Sequence, residues 1–149
     1  MTKPRCRPGV ALPDLIITLA ILAILAVIAA PRLQQASQAM AARAARDAAA
    51  TEFERARVLA LARGTARVIV DPASAELRVE SPAGIPAAPP LRLGAFATAV
   101  TVDGLASGTA SLDFNAIGLG VSANRTIRFR RGQQESRLSL SLYGRVRRW

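Results

Sequence analysis

The sequence predicts an α+β protein in which a long N-terminal helix packs on an antiparallel β-sandwich. An apolar stretch near the N-terminus continues into a glycine-free stretch rich in alanine and arginine, which favours one long helix. The remaining residues alternate between apolar and polar side chains, with glycines between the alternating runs, as in antiparallel sheets. The 149 residues suit one domain plus an appended segment.

The first half of the helix, residues 10–31, is predicted to span a membrane. Between Val10 and Ala30 the polar side chains are Asp14 and Thr18. Such a stretch extends about 31 Å as a helix, close to the roughly 30 Å of a bilayer core. Residues 1–9 carry Lys3, Arg5 and Arg7 without an acid. The positive-inside rule therefore places the N-terminus in the cytoplasm and the rest of the chain outside it.

The second half of the helix, residues 32–63, is predicted to lie outside the membrane. Gly64 is expected to form the C-cap, and Pro31 is expected to kink the helix because its ring removes a backbone hydrogen bond. Acidic and basic residues three positions apart predict two exposed ion pairs, Glu52/Arg55 and Glu54/Arg57.

Residues 64–149 are predicted to form the β-domain. The clearest strand is 137–142, where Leu138, Leu140 and Leu142 share one face while Ser and Arg share the other. A connection at residues 71–75 and an irregular loop at 81–90 separate further strands. The remaining predicted strands are 67–70, 77–79, 91–93, 100–102, 112–114 and 127–129.

Composition argues against an enzyme. The chain has no His, its single Cys is Cys6 and its single Lys is Lys3. Catalytic triads, His or Cys zinc sites and lysine Schiff bases are thereby excluded beyond Arg7. The ten acids are scattered and match no paired-carboxylate motif. We therefore predict no catalytic residue, no metal site and no cofactor.

A basic leader ending in Gly9, an acid at Asp14, the apolar run 15–26 and Pro31 together resemble the signal of type IV pilins and type II secretion pseudopilins. That family usually has Phe or Met in place of Val10, and Glu in place of Asp14. The resemblance implies that a prepilin peptidase cleaves after Gly9 and that the new N-terminal amine of Val10 is methylated. It also implies that Asp14 pairs with an amine in the assembled filament.

Three C-terminal segments, 112–118, 125–129 and 140–147, are similar to the GspH/FimT branch of minor pilins and pseudopilins. The resemblance implies a helix packed on two antiparallel sheets. It also implies a structural subunit of a type II secretion pseudopilus or a type IV pilus. Its partners would be other pilins or pseudopilins, the prepilin peptidase and an inner-membrane assembly platform.

The last 26 residues hold eight Arg and one acid, Glu135. The simplest explanation is a solvated strand face, and the two alternatives are contact with acidic neighbours or anionic lipid and contact with nucleic acid. Gly144 to Arg147 resembles the Gly-Arg-x-Arg ending associated with DNA binding in FimT-type minor pilins. In that case Arg145, Arg147 and Arg148 would contact phosphates, and Tyr143 or Trp149 could stack on a base.

Three functional hypotheses remain open from the sequence. The first is a minor pseudopilin of the inner membrane that performs no chemistry, and the second is a FimT-like minor pilin that binds DNA during uptake. The third is a plain single-pass membrane protein that carries a β-domain and keeps an uncut N-terminus. Secretory cleavage near Ala29 or Ala30 would instead give a secreted β-domain.

Overall fold

The computed structural model describes residues 12–103, 108–121 and 124–149. The described residues form one long helix followed by strands and a short 3-10 helix. In chain order these elements are α1 (Leu12–Arg63), β1 (Ala66–Asp71), β2 (Glu76–Glu80), β3 (Leu91–Arg92), the 3-10 helix (Leu93–Ala95), β4 (Ala99–Val102), β5 (Ala110–Phe114), β6 (Arg125–Arg131), β7 (Gln134–Leu140) and β8 (Val146–Arg148).

Helix α1 has 52 residues, which confirms the prediction of one long helix. It ends at Arg63, where Gly64 adopts a φ of +93° and its amide donates to the carbonyl of Ala60 at 2.8 Å. A left-handed C-cap of this kind favours glycine because a side chain is disfavoured at positive φ. Pro31 lies within the helix.

The chain divides into two compact units, Met1–Gln35 and Ala36–Trp149. In the first unit, every described residue belongs to α1 and is exposed. The helix contains an 18-residue window with a mean hydropathy of 2.6, of which no part is buried. By length and composition, this helix can cross a membrane.

In the second unit, α1 packs one stripe of small side chains into the core. The buried helical positions recur every three or four residues, as expected for one helix face. Phe53 is the one large side chain in this stripe and is fully buried. The other buried residues of α1 are Ala42, Ala45, Ala49, Ala50, Ala56 and Ala60.

The strands form two antiparallel four-stranded sheets. The first sheet has the order β3-β2-β1-β5, and the second has the order β4-β6-β7-β8. One core cluster contains buried residues of α1 and of both sheets, including Val68, Leu112, Phe129 and Leu138. The predicted class, a long helix packed on antiparallel sheets, is therefore confirmed.

Several local predictions were wrong. Strand β3 stops at Arg92, and Leu93 begins the 3-10 helix. Strand β7 stops at Leu140, so Leu142 lies in a turn with 48% of its surface exposed. Strand β8 was not predicted, because Val146 is its one apolar residue and gives no alternation to detect.

One of the two predicted helical ion pairs does not form. Arg55 lies 3.7 Å from Glu52, as predicted. The side chain of Arg57 instead packs against the loop at Gly118, where a Cβ atom would lie 3.1 Å from Arg57 Nε. That Nε is buried and has no hydrogen-bond partner among the described residues. Packing under the loop therefore replaces the predicted pair with Glu54.

Candidate functional site

The predicted N-terminal site residues fall into two groups. Gly9 and Val10, the predicted cleavage and methylation positions, lie outside the described residues. Asp14 lies in the first turn of α1, is exposed, and is followed by the apolar part of the helix. An isolated carboxylate on such a helix costs roughly 2.5–3.5 kcal/mol to insert into a bilayer, so the position calls for a partner.

The C-terminal site residues lie on or beside a groove of about 540 Å³ on the second sheet. Arg145 and Arg147 line the groove. Arg148 does not, because it pairs with Leu138, whose side chain is buried, and so lies on the opposite face of β8 from Arg147. The structure therefore separates Arg148 from the other two predicted residues.

Strand register brings further polar residues to the groove. On the outward face, Thr126 pairs with Ser139, and Ser139 pairs with Arg147 across β6, β7 and β8. The Thr126 and Ser139 hydroxyl oxygens lie 3.2 Å apart. The lining consists of Asn124, Arg125, Thr126, Ser139, Leu140, Ser141, Tyr143, Arg145, Arg147 and Trp149, with no carboxylate side chain.

A tight turn holds Tyr143 and Arg145 at the edge of the groove. The Gly144 amide donates to the carbonyl of Ser141 at 2.9 Å, and the Leu142 amide donates to Asn124 Oδ1 at 3.0 Å. Gly144 has a φ of +69°, and a Cβ atom there would collide with the carbonyl oxygen of Gly118. Backbone conformation and packing therefore both fix this turn.

Trp149 is held in place through its main chain. Its amide donates to the carbonyl of Arg137 at 2.9 Å, and its carbonyl accepts from the Arg137 amide at 3.1 Å. The same carbonyl accepts from Ser136 Oγ and from Arg46 Nη1, each at 3.2 Å. Trp149 as a whole remains 67% exposed. The hydrogen bonds thus position the residue and leave most of its surface open to solvent.

The charges on the second sheet are neutralised unevenly. Arg128 pairs with Asp103 at 3.1 Å, whereas Arg130 and Arg137 pair with Glu135 at 3.5 and 2.7 Å. The hydrogen bond from Arg137, together with the charge of that guanidinium, lowers the pKa of Glu135 below its ordinary value. Glu135 therefore stays ionised and keeps neutralising these arginines at neutral pH.

Among the residues that the structure describes, the arginines of the groove have no such counter-ion. Within the described part of the chain, Arg125, Arg145 and Arg147 form no ion pair. Arg125 Nη1 donates to the backbone carbonyl of Asp103 at 3.3 Å. One end of the sheet face is thus internally paired, and the groove end presents uncompensated positive charge.

A second pocket, of about 290 Å³, lies between β1, β2 and β5 and differs in charge. Arg67 lies in its wall, but its Nε donates to Asp113 Oδ1 at 2.6 Å. That bond raises the pKa of Arg67. Glu80 lines the same pocket, so its lining is not uniformly basic.

Two crystal structures share the fold of this chain. Both are of the type IV minor pilin FimU of Pseudomonas aeruginosa strain PAO1, in space groups P21 and P65. The first is 21% identical with a TM-score of 0.58, and the similarity covers 72% of this chain and 87% of that chain. The second is 20% identical with a TM-score of 0.55, covering 72% and 91%. The chain has the fold of this minor pilin.

Comparison of the sequence with family models and with curated proteins gives no match. The similarity to FimU is therefore a similarity of fold.

Proposed function

We propose that the chain is a minor pilin-type structural subunit of a type IV pilus or a type II secretion pseudopilus, and that it performs no catalysis. The fold shared with FimU carries this proposal. The exposed apolar helix supports it, because such a surface must be covered by lipid or by neighbouring helices. Gly9, Asp14 and Pro31 also support it, because they resemble the signal of type IV pilins and pseudopilins.

In this proposal the chain is anchored in the inner membrane until it is assembled. Residues 1–9 form a cytoplasmic leader that a prepilin peptidase removes, and the Val10 amine is methylated. Residues 10–31 span the membrane and later enter the filament core, where Pro31 kinks the helix. Residues 32–63 and the β-domain, 64–149, lie outside the cytoplasm. An assembly platform and other pilins or pseudopilins are the partners.

Asp14 supplies the test of assembly. Asp14→Ala should still insert into the membrane, because it removes a charge from an apolar helix. It should enter filaments about tenfold less or worse, since removing one member of a desolvated ion pair costs several kcal/mol and each 1.4 kcal/mol is tenfold. The measurement is the amount of the chain in sheared filaments from cells that express the peptidase, platform, ATPase and major subunit.

Asp14→Glu is the matched control and should assemble like the unsubstituted chain, because it keeps the carboxylate. Separate expression with pilus and with secretion components tells which filament accepts the chain. If Asp14→Ala enters filaments as well as Asp14→Glu does, or if the unsubstituted chain enters neither filament, the proposal fails.

A second candidate function is a FimT-like minor pilin that binds DNA for uptake. The observation that favours it is the groove, where the described residues place Arg125, Arg145 and Arg147 together and no carboxylate side chain. Arginine guanidinium groups bind phosphates through ion pairs, and the binding releases counter-ions from the nucleic acid. Binding is expected to weaken steeply with salt, and a chain that binds no DNA at low salt would contradict this candidate.

A further inference from the structure

The groove on the second sheet carries two kinds of exposed side chain, arginines and aromatic rings. Arg145 and Arg147 are exposed and lack a carboxylate among the described residues, while Arg130 and Arg137 on the same face share Glu135. An anionic ligand gains little binding free energy at Arg130 and Arg137, because Glu135 already neutralises them. At the groove an anion has no carboxylate of the described residues to displace, so its attraction to the arginines is not offset in this way.

The groove also presents aromatic rings to solvent. Tyr143 is 72% exposed and Trp149 is 67% exposed, and both line the groove with the arginines. Exposed rings beside cations form a platform on which planar groups of an anionic ligand can stack. In duplex DNA the base faces are already stacked on one another, whereas single strands offer them freely.

Hydrogen bonds hold the backbone beneath the two aromatic residues. The Trp149 backbone makes paired hydrogen bonds with Arg137, and the turn carrying Tyr143 is closed by the bond from Gly144 to Ser141. Binding therefore has to order the side chains of these residues but not their backbone. The groove floor adds the hydroxyl groups of Thr126 and Ser139, which can bond to sugar or phosphate oxygens.

We propose that this groove binds single-stranded nucleic acid in preference to duplex. Arg145 and Arg147 hold successive phosphates, and unpaired bases stack on Tyr143 and Trp149. The inference rests on the second candidate function and names the form of nucleic acid that the groove takes. It is independent of whether the chain assembles into a filament.

The test uses the full chain in neutral detergent micelles and follows the fluorescence anisotropy of labelled 12-mers. Three probes are compared: a single strand, an abasic strand with the same number of phosphates, and the duplex of the same sequence, which carries twice as many. The single strand should bind about 10–100-fold more tightly than either of the others, because stacking adds to the phosphate contacts. Trp149 is the one tryptophan in the chain, so its fluorescence should be quenched by the single strand.

Variants separate the contribution of base stacking from that of the phosphate contacts. The double variant Tyr143→Ala/Trp149→Ala should lower single-strand affinity to that of the abasic strand and leave duplex affinity unchanged. Trp149→Phe should retain most of the preference, because it keeps an aromatic ring. The double variant Arg145→Ala/Arg147→Ala should weaken all three probes and reduce the slope of log affinity against log salt for the single strand by about 1.4.

Arg78→Ala is the matched control for charge. Arg78 is an exposed arginine on β2 of the first sheet. Its replacement should not change the preference for single strand over duplex. Both aromatic rings and the two groove arginines are exposed, so their replacement should leave the fold intact, which circular dichroism checks.

The outcomes distinguish this inference from the candidate function on which it rests. Equal affinity for single strand, duplex and abasic strand overturns the stacking inference and leaves DNA binding through phosphates. A sulfated polysaccharide that binds as tightly as the single strand overturns it in favour of a general polyanion site. Failure to bind any probe at low salt overturns both the inference and the second candidate function.

Discussion

Phe53→Ala is expected to destabilise the unit formed by residues 36–149 by about 3–5 kcal/mol, the usual cost of truncating a fully buried phenylalanine. Phe53 is 0% exposed, and all the other buried residues of α1 are alanine. The contact of α1 with the core therefore depends on one large side chain. Its loss leaves a cavity that the small side chains around it on α1 cannot fill.

Chemical denaturation of the detergent-solubilised full chain, followed by circular dichroism, measures this effect. Val58→Ala is the matched control on the same helix. Val58 is 64% exposed, so its truncation should change the free energy of unfolding by less than about 0.5 kcal/mol. If Phe53→Ala lowers the free energy of unfolding no more than Val58→Ala does, Phe53 does not pack α1 against the core.

Gly144→Ala is expected to cost about 2–4 kcal/mol and to distort the groove. A φ of +69° disfavours any side chain by roughly 1–3 kcal/mol. The added Cβ would also collide with the backbone carbonyl oxygen of Gly118, which cannot move without shifting its loop. Because Gly144 closes the turn that carries Tyr143 and Arg145, the same change should weaken nucleic-acid binding at the groove.

Gly84→Ala isolates the conformational part of this effect. Gly84 has a nearly equal φ of +72°, but an added Cβ would meet nothing within 4 Å. It should therefore show the conformational cost alone, and the difference between the two unfolding free energies reports the contact with Gly118. Equal destabilisation by both substitutions would contradict that contact.

The elements of the fold could be predicted because their patterns are local. Helix α1 contains no glycine, and Gly64 ends it at the position where the sequence pattern changes. Strands β1 and β2 alternate buried and less buried residues along their length. Burial of one sheet face imposes this alternation, so it is visible in the sequence.

Other features depend on distant packing and could not be predicted. Arg57 has an acid three residues before it, yet it packs under the loop at Gly118, which is 61 positions later in the sequence. Strand β8 forms because β7 offers a free edge to Val146 and its neighbours, although their own sequence is mostly arginine. In both cases tertiary structure overrides the local preference.

Only the part of the candidate groove that comes from one short segment of the sequence could be predicted. Arg145 and Arg147 stand in a short motif, and Tyr143 and Trp149 lie close to them in sequence. Arg125, Thr126 and Ser139 join them only through the antiparallel pairing of β6, β7 and β8. The same pairing places Arg148 on the other face of its strand. Strand register, which a single sequence does not reveal here, therefore decides the membership of the site.

Processing after Gly9 is the most direct consequence of a pilin-type function. Intact and N-terminal peptide mass spectrometry of the membrane-extracted chain, expressed with and without a prepilin peptidase, measures it. We expect a chain that begins at Val10, with or without a methyl group on its amine, and only when the peptidase is present. Gly9→Val should block the cut, because a side chain there obstructs the narrow site implied for the peptidase. A chain that still begins near Met1 with active peptidase, or that is cut near Ala30, would contradict the proposed function.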